Sequence, residues 1–311
     1  MGEEKIGVSV ICNAFNQEKY IKETLEGFLM QKTNFEYEIL IHDDASNDNT
    51  AQVIREYEKK YPKIIKAIYE EENQYSKSID ISRTFQYPRA AGKYVALCEG
   101  DDYWIDPYKL QKQYDALEQN KDIDICAHGV YVLNDKTGKM NEKITPSPKN
   151  KVFTLNEVIQ GGGGFVATNS LMLRTDILKN EPKFVKYYGI DYAIQIYGSV
   201  RGGMIYLSDI MGVYRAAASG SWSVRMANDK DYRDEQEMKL QTMLHYVDEY
   251  TAYKYTNLIQ GVILNAKYNN LANAKEYRRL MSSEFREIFK KKPLKHKLKV
   301  VIYSIINSMM C

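Results

Sequence analysis

Short apolar runs alternate with amphipathic stretches through the first part of the chain. Ile6 to Cys12 is an apolar run ending at Asn13, the pattern of a buried strand. Asn16 stands where a helix N-cap is expected, and Tyr20, Ile21, Leu25, Phe28 and Leu29 then recur with helical period. Tyr37 to His42 predicts a second strand, followed by a helix with Val53, Ile54 and Tyr57 on one face. Ile64 to Tyr69 and Lys93 to Cys98 predict a third and fourth strand. Asp106-Pro107 opens another helix, with Leu110, Tyr114 and Leu117 as its apolar face.

Further on, Ile123 to Leu133 and Met204 to Tyr214 read as strands, residues 192–200 as a helix, and Thr145 to Lys151 as a polar loop. Four consecutive glycines, Gly161 to Gly164, precede an apolar run from Phe165 to Leu173 that reads as a strand. The glycines suit a flexible or substrate-covering loop. From about Asp229 the pattern is helical to the end, and no internal repeat occurs.

Strands alternating with helices of about a dozen residues predict βαβ units, an α/β fold with a largely parallel sheet. Such sheets bind ligands at the carboxyl ends of their strands. Two acidic clusters fall there: Asp43-Asp44 after the second strand, and Glu99, Asp101 and Asp102 after the fourth.

Composition narrows the function. Of 311 residues, 44% are hydrophobic and 27% charged, a globular balance. Lys+Arg 43 against Asp+Glu 41 gives +2, which speaks against a nucleic-acid partner. Charge is uneven: Arg286 to Lys299 carries seven basic residues and one acid, net +6, leaving −4 for the rest. The four cysteines show no metal-ligand spacing and predict reduced thiols of a cytoplasmic protein. The N-terminal residues lack the basic and apolar regions of a signal peptide. The apolar stretch 300–311 falls short of the ~20 residues that span a bilayer.

Loop carboxylates usually face solvent or cap helices, and Asp48 and Asp106 fit that role. Glu99, Asp101 and Asp102 fit it poorly. Three acids within four residues repel one another unless a cation or donor offsets them. Hard oxygen ligands suit Mg²⁺ or Mn²⁺, which commonly bridges substrate phosphates. The glycine-rich fingerprints of dinucleotide-binding and P-loop proteins are absent, and His42, His128, His245 and His296 are scattered.

With these residues in order, the chain resembles the inverting family-2 glycosyltransferases of the GT-A fold over roughly residues 6–222. The carrying segments are S-V-I-C-N-A-F-N (9–16), E-I-L-I-H-D-D-A-S-N-D-N-T (38–50), Arg83 nine residues before Gly92, E-G-D-D-Y-W (99–104), P-Y-K-L-Q-K-Q (107–113), and G-V-Y-R (212–215) with Ser221-Trp222. The resemblance implies a nucleotide diphosphate sugar donor, UDP-linked, contacted by Asn13, Asn16, Asp43, Asp44, Arg83, Glu99 and Asp101. It implies Mn²⁺ or Mg²⁺ on Asp101 and Asp102. It also implies a general base in a later segment near a helix start, for which Y-G-I-D-Y-A-I-Q-I-Y (188–197) offers Asp191. Glu181, beside Pro182, reads as a solvated turn. Glu99 stands where the family often has Asp, and Thr84 follows Arg83 where it usually has Asn; these departures bear on the donor sugar.

The resulting expectation is a glycosyltransferase domain over 1–222, split into a nucleotide-sugar-binding half (1–105) and an acceptor-binding half (106–222), with a helical region over 223–311. The acceptor would be a glycan or lipid-linked hydroxyl. The basic, partly apolar C-terminal segment suits either packing on the body or an anionic membrane surface, which would place the protein at the inner face of the plasma membrane. Two other classes compete: a sugar-nucleotide pyrophosphorylase, disfavoured because Cys12 to Asn16 has no glycine or basic residue, and a catalytically silent sugar- or nucleotide-binding protein.

Overall fold

The computed structural model describes residues 6–188, 191–218 and 222–309. Gly189-Ile190 before Asp191, Ser221 of the Ser221-Trp222 pair, and Cys311 lie outside these residues. The chain divides into two compact units at Ala218/Ser219.

The first unit begins with β1 (Val8–Ala14), α1 (Ile21–Leu29), β2 (Tyr37–Asp43), α2 (Thr50–Lys60), β3 (Ile65–Tyr69) and β4 (Tyr94–Leu97). These strands pair in parallel in the order β3-β2-β1-β4. The chain thus winds out to one side of β1, then crosses back to β4. All four carboxyl ends lie along one edge, and the crossover beside β1 makes the crevice where open α/β sheets take ligands.

Beyond β4 come β5 (Tyr103–Trp104), α3 (Lys109–Gln119), β6 (Ile125–Asn134), β7 (Lys139–Ile144), β8 (Lys151–Phe153), α4 (Leu155–Gly161), β9 (Met172–Arg174), α5 (Thr175–Lys179), α6 (Lys183–Tyr188), α7 (Asp191–Ser199) and β10 (Met204–Ala216). Antiparallel β9 joins β4 to β6, and β10 lies parallel to β6. A single sheet therefore carries both sequence halves of this unit, the GT-A arrangement.

The core explains the pattern. Val8, Val10 and Cys12 alternate inward on β1 and meet Ile39 and Ile41 of β2, Tyr94 and Ala96 of β4, and Ile21, Leu25 and Phe28 of α1. Phe28 lies 4.7 Å from Trp104, ring centre to ring centre. Gly27 permits this packing, because a Cβ there would sit 2.9 Å from the Trp104 backbone.

Two expectations differ from the structure. Asn16 does not cap α1; it lies at φ 52° in the preceding loop, where its Oδ1 accepts from the Asn47 N–H at 2.7 Å. The run 165–173 is not one strand. Ser170 Oγ turns back to the Ala167 carbonyl at 2.6 Å, so only Met172–Arg174 is left to pair.

The second unit contains α8 (Trp222–Asn228), α9 (Lys230–Tyr250), α10 (Thr256–Asn273), α11 (Arg286–Lys291) and α12 (Leu294–Met309). Asp229 caps α9 by accepting from the Tyr232 N–H at 2.9 Å. Tyr268, Leu271, Tyr277, Leu280, Phe285 and Val300 form its own small core. Among the described residues, no helix is long and apolar enough to cross a membrane.

Candidate active site

Three chain segments bring carboxylates to the carboxyl edge of the sheet. The first is the end of β2. Asp43 is 2% exposed; its Oδ2 accepts from the Ser46 N–H at 3.3 Å, and its Oδ1 has no hydrogen-bond partner among the described residues. A buried carboxylate oxygen without a donor is costly, so it is poised for a donor brought by a ligand. Asp44 differs: its two oxygens accept from the N–H groups of Gln74 (2.7 Å) and Tyr75 (3.1 Å), pinning that loop.

The second segment is the turn after β4. Thr24 of α1 donates its hydroxyl to the carbonyls of Gly100 (3.0 Å) and Asp102 (2.6 Å). A Cβ on Gly100 would lie 2.2 Å from Gln17 Oε1, so a larger residue there would have to displace the Gln17 side chain. Asp102 is 3% exposed, and its Oδ1 accepts the Arg215 backbone N–H at 2.7 Å. The Arg215 guanidinium donates Nε–H to the Asp101 carbonyl at 2.8 Å and pairs with Glu23 at 2.7 Å. It also lies 4.6 Å from the Tyr20 ring centre.

The third segment is the start of α7, where Asp191 accepts a hydrogen bond from the Thr168 hydroxyl. Electrostatics tie the segments together. Burial, then the charges of Asp191 and Asp101, push the Glu99 carboxyl up to about 8. Burial likewise raises Asp101, Asp102 and Asp191 above the usual carboxylate range, with Asp101 adding to Asp102. The site accumulates more negative charge than Arg215 offsets.

Among the described residues, no group of three or more His, Cys, Asp or Glu is disposed to hold a metal alone. Asp101 and Asp102 still fit an ion carried mainly by substrate. Mg²⁺-type sites commonly use one or two carboxylates, with phosphates and waters completing the shell. The carboxylate excess is the charge such an ion would offset.

Residues 9–180 match the family described as Glycosyl transferase family 2. The chain belongs to that family. That membership speaks against the pyrophosphorylase alternative. An uncharacterised protein of Mycobacterium tuberculosis is 34% identical over 221 residues, covering 69% of this chain and 60% of its own length. The chain thus spans about 60% of the length of these relatives. The crystal structure of S. aureus TarS with UDP-GlcNAc superposes with a TM-score of 0.54 at 19% identity, covering 97% of this chain and 89% of that one. Mannosyltransferase PcManGT from Pyrobaculum calidifontis, with GDP-Man and Mn²⁺, gives 0.55 at 13% identity, covering 97% and 86%. At these identities the two structures speak to the fold.

In this member of family 2 the residues expected at the donor fall into two groups. Asp43 and Asp102 carry buried carboxylates, and Glu99, Asp101 and Asp191 half-buried ones, at the ends of β2, β4 and the start of α7. Asn13 joins them: it hydrogen-bonds Glu99, and its side chain also bridges Ser82 (3.0 Å) and Gln86 (3.2 Å). Asn16, Asp44 and Arg83 are engaged in holding loops. Arg83 pairs with Asp80 and Glu181 and donates to the Val185 carbonyl at 2.8 Å. Glu181 is therefore not a solvated turn; it is 7% exposed and ion-paired.

Sequence reasoning missed the roles of Thr168, Thr24 and Arg215. Arg215 lies in the G-V-Y-R motif, but its bonds to 101–102 come partly from its backbone, which no residue pattern encodes.

Proposed function

We propose that the chain is a metal-dependent inverting glycosyltransferase that moves a sugar from a nucleotide diphosphate sugar, UDP-linked, to a hydroxyl of a glycan or lipid-linked acceptor. The observation that carries this reading is the gathering of Asp43, Glu99, Asp101 and Asp102 at the carboxyl ends of β2 and β4, with the charge of Asp191 felt at Glu99. It brings diphosphate-side and acceptor-side chemistry within one site.

Asp43, with its free buried oxygen, accepts from the base or ribose of the donor. Asp101 and Asp102 would hold Mn²⁺ or Mg²⁺, which when bound neutralises charge growing on the departing diphosphate. Glu99 supports that pair or reaches the donor sugar. Asp191 takes the proton of the acceptor hydroxyl as its oxygen bonds the anomeric carbon. The bond from that carbon to the diphosphate oxygen breaks, and its electron pair leaves with the diphosphate. A single displacement inverts the anomeric centre. Thr168 holds the Asp191 carboxylate toward this task. Neighbours holding UDP-GlcNAc and GDP-Man support a nucleotide-sugar donor and leave the base to experiment. On this reading the chain works in the cytoplasm, peripheral at the inner face of the plasma membrane, where lipid-linked acceptors are presented.

The test is diphosphate release from a panel of UDP- and GDP-sugars, with Mn²⁺ or with EDTA, in wild type and Asp191→Asn. Metal-dependent release from one donor, lost in the variant, supports the reading. No release from any donor, or equal release in EDTA, contradicts it.

A further inference from the structure

The second unit ends in a helix with two unlike faces. On α12, Val300 is fully buried and Ser304 5% exposed. His296 hydrogen-bonds the Tyr268 hydroxyl at 2.9 Å, and Tyr303 stacks on Tyr277 at 5.3 Å. That face is seated on the unit's own core.

The outer face is apolar and uncovered. Leu294, Leu298, Val301 and Ile302 fall at i, i+4, i+7 and i+8, one stripe of a helix. Their exposures are 71%, 53%, 38% and 51%. By helical spacing Lys295 flanks the stripe beside Ile302, and Lys297 flanks it beside Val301. Lys297 donates to the Lys290 carbonyl at 2.6 Å, which ties this shoulder to the basic run Lys290-Lys291-Lys292. The segment 286–299 carries net +6 in a chain whose remainder is −4.

We propose that α12 is an interfacial helix that lies in the plane of an anionic lipid membrane, its apolar stripe in the headgroup boundary and its lysines on acidic headgroups. A stripe edged on both sides by long basic side chains is what such a surface takes up, since lysine stems extend along the apolar zone and keep their ammonium groups at the phosphates. A second copy of the chain is a poor occupant, because lysine shoulders would meet lysine shoulders. The inference names the element behind the membrane location in the proposed function. It rests on residues of the second unit alone, so it can fail without the transfer reading failing.

The experiment is flotation of the full chain with phosphatidylcholine vesicles, with and without phosphatidylglycerol, at low and high salt. Two double variants accompany wild type: Leu298→Ser with Ile302→Ser, and Lys295→Gln with Lys297→Gln. All four positions are on the solvent side, and melting curves check that the fold is kept. Wild type should bind acidic vesicles only, and less so in high salt. The lysine pair should lose roughly 25-fold, at about fivefold per basic residue near the surface. The stripe variant should lose at least about tenfold even at low salt. Diphosphate release with a soluble acceptor should match wild type in both. Equal binding to neutral vesicles, no binding by wild type at low salt, or undiminished binding by the stripe variant overturns the proposal. So does a concentration-dependent dimer that the stripe variant abolishes, which would make a second copy the occupant.

Discussion

The backbone N–H of Arg215 donates to Oδ1 of Asp102 at 2.7 Å, while its guanidinium reaches the carbonyl of Asp101 at 2.8 Å. One residue on β10 thus fixes both members of the acidic pair, across more than a hundred positions of sequence. Arg215→Ala keeps the backbone bond and removes the grip on Asp101. Supporting contacts of this kind are worth about 10–100-fold in metal affinity. The variant should weaken Mn²⁺-dependent diphosphate binding by that factor in calorimetry. Unchanged binding would reduce Arg215 to a packing role.

Asp191→Asn keeps the shape of the side chain and an oxygen to accept from Thr168. Burial disfavours the charged form of Asp191, so the neutral variant should be at least as stable as wild type. Transfer should fall about 10²–10⁴-fold, the usual contribution of a positioned base, with donor affinity kept. Near wild-type turnover would remove Asp191 from the mechanism.

Much of this was legible in the chain itself. Short apolar runs located β1 to β4, of which β1, β2 and β4 are buried on both faces, and period-3.6 patterns located α1 to α3 because each helix buries one face. The acids at 43–44 and 99–102 stood out because like charges at strand ends need a reason, while Asp191 was singled out by the family resemblance. What was hidden depends on distance. Glu181 looks solvated until Arg83, 98 positions away, is brought against it. The edge strand β7 went unseen because it is polar and exposed almost throughout, so no apolar period marks it.

The Arg83 contacts predict a structural role. Arg83→Met leaves Glu181 buried and unpaired, which should cost about 3–5 kcal/mol in urea unfolding. Adding Glu181→Gln should recover part of that loss. Full stability in Arg83→Met together with lost donor affinity would return Arg83 to the donor.

Lys109 is fully buried, 3.7 Å from the Trp104 ring centre, and its Nζ has no hydrogen-bond partner among the described residues. Burial drives its ammonium down to about 7; Cys98, Cys126 and His128 are the titratable groups coupled to it. The unfolded chain holds that proton up to about 10.4. Between these values the unfolded state binds more protons, so stability should rise with pH, by up to about 1.4 kcal/mol per unit. Lys109→Met should be more stable than wild type at pH 7 and should lose this rise. Parallel pH profiles for the two proteins would contradict the assignment.

Calorimetry of UDP and GDP with wild type and Asp102→Asn, in Mn²⁺ and in EDTA, tests the donor site at Asp101 and Asp102 most directly. The expected result is binding of one nucleotide in Mn²⁺, weakened at least about tenfold both by EDTA and by the substitution. Equal affinity under all four conditions, or no binding of either nucleotide by wild type in Mn²⁺, would contradict it.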